Sequence, residues 1–353
     1  MPTIAETTVE KIEMVFPEHA GAPGQIHGGR MMQWITEAGT MAAARMAHGQ
    51  VVLGAMDDID FLHPVKVGEI AILRAQVEYI GRSSLEVGVR VWAENVRTGA
   101  RSVTLNSHLV FVSVGDDTRP RPVRERIEPR GAAELALVEA ARQRREHRLA
   151  RWAKRRNLET GAESGESEPR RTSDGPPSAR AGLADPTPTN TTWRFESVRP
   201  VLPEDALFGT TMFAGKLLMA LDEAGGILSM RYCRGLVMTA CLDAMDFYAP
   251  ISTHEVVTFK AGLNYVGTSS LEVGVKVLTE KPWTGEVRHA CTAFLTYVHL
   301  GPDLRPRPCP LFTPETPDEK RRWEAARERR ELRLARVKRL KAALAGESPA
   351  EKG

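Results

Sequence analysis

Four short stretches of this chain combine residue types that could do chemistry. The first is AGKLLMALDEAGG, in which Asp222 falls in line with Leu218, Gly225, Gly226 and Ser229 at helical spacing. That stripe is made of small and apolar residues, so it faces a packing surface and not water. A carboxylate on such a face is either satisfied by a neighbouring hydroxyl or amide or kept available for reaction. The second is GQIHGG, where Gly28 and Gly29 precede a long apolar-periodic run. Free N–H groups at a helix start carry partial positive charge, and glycine lets a ligand approach them closely. Such a start can hold a carbonyl oxygen as it becomes an oxyanion. His27 stands beside the glycines, and histidine is the side-chain type suited to proton transfer near neutral pH, which makes it a rival base. The last two are turns, GRSS with Arg82, Ser83 and Ser84, and GTSS with Thr268, Ser269 and Ser270. Charge, hydroxyls and turn N–H groups suit them to phosphate, although ordinary hairpin chemistry reads the same way.

These stretches are related by an internal repeat. YIGRSSLEVGVRV (Tyr79 to Val91) matches YVGTSSLEVGVKV (Tyr265 to Val277) at ten of thirteen positions, a shift of 186. The same shift pairs Gly28-Gly29 with Ala214-Gly215, Glu37–Gly39 with Glu223–Gly225, Asp60-Phe61 with Asp246-Phe247, and the RPRP at Arg119 with that at Arg305. Past RPRP the shift becomes 185, and EAARQRREHRLAR from Glu139 mirrors EAARERRELRLAR from Glu324. The chain therefore divides into a first globular repeat (1–130), a basic helix (131–159), a linker rich in Gly, Ser, Pro and charge (160–192), a second globular repeat (193–312) and a basic C-terminal helix and tail (313–353).

Within each repeat one helix must position the chemistry. Met32, Ile35, Thr36, Gly39, Ala43 and Met46 recur at threes and fours until Gly49. The small residues Gly39 and Ala43, matched by Gly225 and Ser229, predict close packing of this helix on its neighbour. Alternating, β-rich segments follow: VVLGAMDDIDFL, EIAILRAQVEYI, SLEVGVRVWAEN and SVTLNSHLVFVSV, after an opening strand at 8–16. One central helix followed by an antiparallel meander is an α+β arrangement, a sheet wrapped around a buried helix.

The strand, the HGG-type helix start, the meander and the GRSSLEV strand together resemble the hotdog fold of acyl-CoA thioesterases. Two copies with basic helices look like the tandem-hotdog cytosolic acyl-CoA hydrolases. The resemblance covers both globular repeats and the tail helix. It implies acyl-CoA as substrate, hydrolysis to free fatty acid and CoA, no cofactor beyond the CoA of the substrate, and a homotrimer of tandem chains making six hotdog units. It also implies an Asp in GGxxMxxxD as base or nucleophile, which Asp222 reproduces, and an amide three positions before the first glycine, where this chain has Gln25. The first repeat has Thr36 in place of the Asp and the second has Thr211 in place of the amide. Glu37 is matched by Glu223 and is read as structural. Hotdog pairs share sites across their interface, so Gln25, Gly28 and Gly29 are expected to face Asp222 in one competent site. The reciprocal pair of Thr36 and Thr211 is expected to be chemically empty. Along the CoA path the resemblance places the turns at Arg82–Ser84 and Thr268–Ser270. The alternatives are another hotdog acyl-thioester chemistry, dehydration or hydration, or a non-catalytic acyl-CoA or nucleic-acid binding module.

Composition excludes other classes. Of the 353 residues 42% are hydrophobic and 26% charged, a globular balance. No apolar run approaches the ~20 residues of a membrane span, and the mixed-charge start lacks an export signal core, which predicts a cytoplasmic protein. Cys233, Cys241, Cys291 and Cys309 show no CxxC spacing and the nine histidines no HxxxH or HxH cluster, so no metal is expected. No GxGxxG or Walker loop is present. The net charge of +3 hides a stretch from Arg119 to Arg156 with 13 Lys or Arg against 5 Glu. Its alternation of Arg with Glu and Ala, almost without aromatics, reads as a solvated helix laced by i to i+4 pairs and not as a nucleic-acid surface. Leu149 and Trp152, mirrored in part by Leu334, suggest that one side also packs on the fold or on another chain.

Overall fold

In the computed structural model, which describes residues 1–21, 24–162 and 193–346, the two repeats build two antiparallel sheets around two central helices. The first repeat runs β1 (Val9–Met14), α1 (Gly28–Ala47), β2 (Val51–Met56), β3 (Ile59–Asp60), β4 (Ile70–Ile80), β5 (Ser84–Glu94), β6 (Arg101–Ser113) and α2 (Gly131–Ala162). The second runs β7 (Arg194–Pro200), β8 (Ala206–Phe208), β9 (Thr211–Met212), α3 (Ala214–Cys233), β10 (Leu236–Leu242), β11 (Met245–Asp246), β12 (Val256–Val266), β13 (Ser270–Lys281), β14 (Glu286–Leu300) and α4 (Pro317–Gly346). The linker read at 160–192 lies outside the described residues from 163 onward, its first three residues closing α2.

Each sheet borrows an edge from the other repeat. The orders are β1-β4-β5-β6-β2-β11 and β3-β10-β14-β13-β12-β7. VVLGAMDDIDFL is thus not one strand, because it breaks at Asp57-Asp58 and its short second piece crosses to pair Asp60 with Cys241, while Met245 of the second repeat pairs with Met56. The strands bury alternate residues against the helices, as Ala71, Leu73, Ala75 and Val77 do on β4. The resulting core is continuous, running from Ile35 and Leu73 in one repeat to Leu221 and Val273 in the other.

The small-residue stripe does what its spacing predicts. A methyl added at Gly39 would stand 3.0 Å from the Phe111 ring, and one at Gly225 would stand 2.4 Å from the Tyr297 hydroxyl. The two helices also touch each other. A methyl at Gly29 would meet Met219 Cα at 2.9 Å, and one at Gly215 would meet Gln33 Cγ at 3.1 Å. As position rises along α1 its partner falls along α3, so the helices lie antiparallel.

The basic helices correct the sequence reading. Their arginines at i, i+4 and i+7 point at carboxylates of the sheets. On α2, Arg144 binds Glu86 at 2.6 Å and Glu78 at 2.8 Å, and Arg148 binds Asp57 and Glu86. On α4, Arg329 binds Glu272 at 2.6 Å and Arg333 binds Asp243 at 2.6 Å and Glu272 at 2.9 Å. The third arginine of each set reaches the other repeat's borrowed strand: Arg151 to Asp246 at 2.8 Å, and Arg336 to Asp60 at 2.6 Å. Exposed helix-surface pairs such as Arg142–Glu139 also occur, but at i, i+3. Leu149, Trp152 and Leu334 are exposed, so these three do not seat the helices; buried Ala141 and Ala326, and Trp323 against the Tyr265 ring, add apolar contact to the ion pairs.

Candidate active site

The fold brings the start of α1 onto the middle of α3. His27 caps α1, its Nδ1 accepting the Gly29 N–H at 3.1 Å. The same N–H donates to Asp222 Oδ2 at 2.6 Å across the interface between repeats. Oδ1 of Asp222 accepts the Thr239 hydroxyl at 2.8 Å and the Tyr297 hydroxyl at 3.0 Å. Tyr297 also reaches the Asp222 backbone carbonyl at 3.0 Å. The Asp222 side chain is therefore fully buried yet well supplied with donors, as a buried carboxylate requires. Two hydroxyls occupy Oδ1 and one N–H reaches Oδ2, so Oδ2 keeps lone-pair capacity on the side of the α1 start. Burial and the neighbouring carboxylate push the Tyr297 phenol well above its ordinary range, so it stays a donor.

Close approach explains the glycines. A methyl on Gly28 would lie 2.6 Å from Thr239 Cβ and 3.0 Å from Asp222 Oδ2. No hydrogen bond among the described residues takes up the Gly28 N–H, whereas that of Gly29 is engaged by Asp222 and His27. Of the two candidate oxyanion donors, Gly28 is thus the one left open, and Gly29 orients the carboxylate. His27 Nδ1 lies 3.5 Å from Asp222 Oδ2 with its lone pair committed to the helix cap.

Not all sequence candidates gather here. Gln25 is buried, its Oε1 has no hydrogen-bond partner, and no hydrogen bond links it to Asp222 among the described residues. Thr36 and Thr211 do converge, on a separate cavity beside the start of α3. Glu37 pairs with Lys11 at 3.1 Å and Gln33 at 2.9 Å, a structural role as expected. Each turn is stitched to the last sheet strand and to the residue just past RPRP: the N–H groups of Ser113 and Val123 donate to the carbonyls of Ser83 and Arg82, and those of His299 and Cys309 to the carbonyls of Ser269 and Thr268. Arg121 of the first RPRP reaches the carbonyls of Ala47 and His48 at the far end of α1. Arg82, Ser83 and Ser84 therefore lie toward the end of α1 remote from Gly28. Thr268, Ser269 and Ser270, at the corresponding end of the antiparallel α3, are the turn on the Asp222 side.

Sequence reading missed Thr239 and Tyr297. Their partners at the 186 shift are Leu53 and Phe111, so both change together with Asp222 and Thr36. It also missed that folding gathers Cys233, His299 and Cys309 with ligand atoms within 4.8 Å of one another, the one such group among the described residues. Three ligands fall short of the four of a closed structural zinc site.

The thioesterase superfamily profile matches residues 23–100 and 209–285, one match on each repeat. Residues of the chain are 39% identical over 133 residues to protein VdlD of Helicobacter pylori, covering 38% of this chain and 76% of that one. The chain belongs to the thioesterase superfamily. It is 28% identical over 323 residues to the human cytosolic acyl coenzyme A thioester hydrolase, covering 89% of this chain and 80% of that protein. Among solved structures, the acyl-CoA hydrolase of Staphylococcus aureus in complex with butyryl coenzyme A, coenzyme A and coenzyme A disulfide is 32% identical, with a TM-score of 0.42 over 46% of this chain and 99% of that one. No helix among the described residues is long and apolar enough to cross a membrane.

Proposed function

We propose that this chain hydrolyses acyl-CoA thioesters to free fatty acid and CoA at one composite site per pair of repeats. The observation that carries it is the 2.6 Å hydrogen bond from Gly29 of the first repeat to the buried carboxylate of Asp222 in the second. The thioester carbonyl sits at the start of α1, with its oxygen toward the Gly28 N–H, which stabilises negative charge as it develops. Asp222 Oδ2 then either attacks the carbonyl carbon or takes a proton from the attacking water. Thr239 and Tyr297 hold the carboxylate by Oδ1, and His27 fixes the helix start. Water is consumed, the C–S bond breaks, and the thiol leaves with a proton. No cofactor takes part.

Thr268, Ser269 and Ser270 lie toward the CoA end of this site. Gln25, buried beside the helix start with an unpaired Oε1, contributes an amide to the acyl or water position. The chain works in acyl-lipid metabolism in the cytoplasm, like its cytosolic relatives, as a homotrimer with closed symmetry. It needs neither nucleic acid nor metal. A panel of acyl-CoA esters assayed for free thiol and for enoyl absorbance tests the reaction. Thiol release without an enoyl signal is expected, and an enoyl signal without thiol would replace hydrolysis by dehydration or hydration. Light scattering on the eluting protein reads the trimer.

A further inference from the structure

The interface between repeats holds a second, differently equipped position. Where the competent site has His27, Gly28, Asp222, Thr239 and Tyr297, the register gives Phe213, Ala214, Thr36, Leu53 and Phe111. Every ionisable group is gone. The volume is not: a cavity of about 320 Å³ lies between the start of α3 and the middle of α1, with Thr36, Leu53, Thr211 and Phe213 in its wall. That is at the lower end of the ~300–1,000 Å³ usual for small-molecule pockets. Its wall holds no charged residue, and Thr36 spends its hydroxyl on the Met32 carbonyl at 2.8 Å.

The position is a cleft open to solvent, so a ligand can enter it without the core opening, and its wall is almost wholly apolar. Clefts lined in this way take apolar guests. Cations lie outside it: exposed Arg82, on the turn whose Ser83 carbonyl accepts the Ser113 N–H between the wall residues Val112 and Val114, and Arg119 and Arg121 on either side of the wall residue Pro120. The second repeat has Thr268 at the place of Arg82. An uncharged chain inside and an anionic head outside are what these walls accept.

We propose that this cavity binds the alkyl chain of a fatty acyl ligand, with its carboxylate or CoA phosphates toward Arg82, and holds it without cleaving it. The inference rests on the reading of the chain as an acyl-CoA hydrolase with one competent site. Two probes distinguish the sources: non-cleavable S-alkyl-CoA thioethers from butyl to hexadecyl, and the free fatty acids of the same lengths. Equilibrium binding should give two equivalents of thioether per chain for at least one chain length. Ala249→Trp and Val52→Trp, which fill the cavity from opposite repeats, should each remove one equivalent and leave kcat/KM for hydrolysis within about twofold. Competition by free fatty acid for that equivalent assigns the site to product, and its failure to compete assigns it to thioester. A diazirine-bearing fatty acyl probe gives a reading without substitution, with adducts expected on peptides holding 51–54 or 247–251. One equivalent at every chain length, or a second that both tryptophans and the label leave elsewhere, overturns the proposal. Hydrolysis surviving Asp222→Ala would instead overturn the functional reading, and the stoichiometry is measured apart from it.

Discussion

At the start of α1 a backbone N–H points at a carboxylate held by two hydroxyls, while at the start of α3 the corresponding place faces Thr36, backed by Leu53 and Phe111. The helix geometry is the same in both. A methyl at Gly29 meets Met219 and one at Gly215 meets Gln33, which are equivalent positions. What differs is a set of side chains that act together. An isolated Asp at 36 would be buried without the hydroxyls that Thr239 and Tyr297 supply, so losing the acid and losing its donors belong to one change. A tandem chain can make this division of labour because its two halves are separate stretches of sequence; a true homodimer cannot.

The sharpest way to break the comparison is to remove one residue from each side. Asp222→Ala should lower kcat by about 10³-fold, in the range of lost acid–base or nucleophilic groups, while Thr36→Ala should leave kcat within about twofold. Equal losses would mean two working sites. The next step makes the competent site resemble the other at its supports. Tyr297→Phe copies Phe111 and should lower kcat about 10- to 100-fold with little change in KM, since a hydrogen bond to a charged group contributes roughly 1.5–3 kcal/mol. Thr239→Val should do the same and Thr239→Ser should restore most of the rate. A drop in KM-limited binding alone, or no recovery with Ser, would show that the hydroxyls serve packing and not the carboxylate.

Much of this was legible in the residues, and the limit has a physical cause. The repeat register paired Asp222 with Thr36 and placed both on the small-residue stripe, because helix periodicity and spacing are local properties. The same register paired Thr239 with Leu53 and Tyr297 with Phe111. Nothing local says that residues on β10 and β14 converge on one carboxylate of α3, since that follows from strand order. The arginines of α2 and α4 show the same limit. Arg144, Arg148 and Arg151 lie on one helix face, which the spacing states, but their partners Glu78, Glu86, Asp57 and Asp246 sit up to 95 positions away. Local Glu residues offered a sufficient partner, so the helices read as solvated. Gln25 marks a different case: the family-implied amide is buried near the glycines but forms no bond with Asp222.

Outside the chemistry both halves hold their basic helix by the same arginine triad, buried in its middle member and more exposed in its last, and stability should show it. Arg333 is largely buried among Asp243 and Glu272, so Arg333→Met takes the nearest cation from Asp243, leaves Glu272 with Arg329, and should cost about 3 kcal/mol in urea unfolding. Arg151 is 42% exposed beside Asp246, and Arg151→Met should cost about 1 kcal/mol or less. Hydrolysis per folded molecule should survive both. If Arg333→Met abolished activity in protein that remained folded, the helices would have a part in the site beyond the ion pairs that seat them.

The smallest expected effect comes from a place where the outer faces of the two sheets differ in titratable character. His108 lies 3.5 Å from Glu78 beside Arg144 and Arg148, and its counterpart is Phe294, whose ring stacks 3.8 Å from the Arg329 guanidinium. Burial, then the two guanidiniums, push the His108 imidazole down to about 3. In the unfolded chain the same group protonates near 6.5. Below that pH the unfolded state binds a proton that the folded state refuses, so stability is full above about 6.5 and falls as pH drops toward about 3. The His108 side chain keeps 27% of its exposure, which limits the size of the loss. His108→Phe copies the second repeat and removes this term, so its urea midpoint should decline less than that of the parent between pH 7 and pH 4. Parallel declines would place the acid sensitivity of the first repeat in its carboxylates and not in the imidazole.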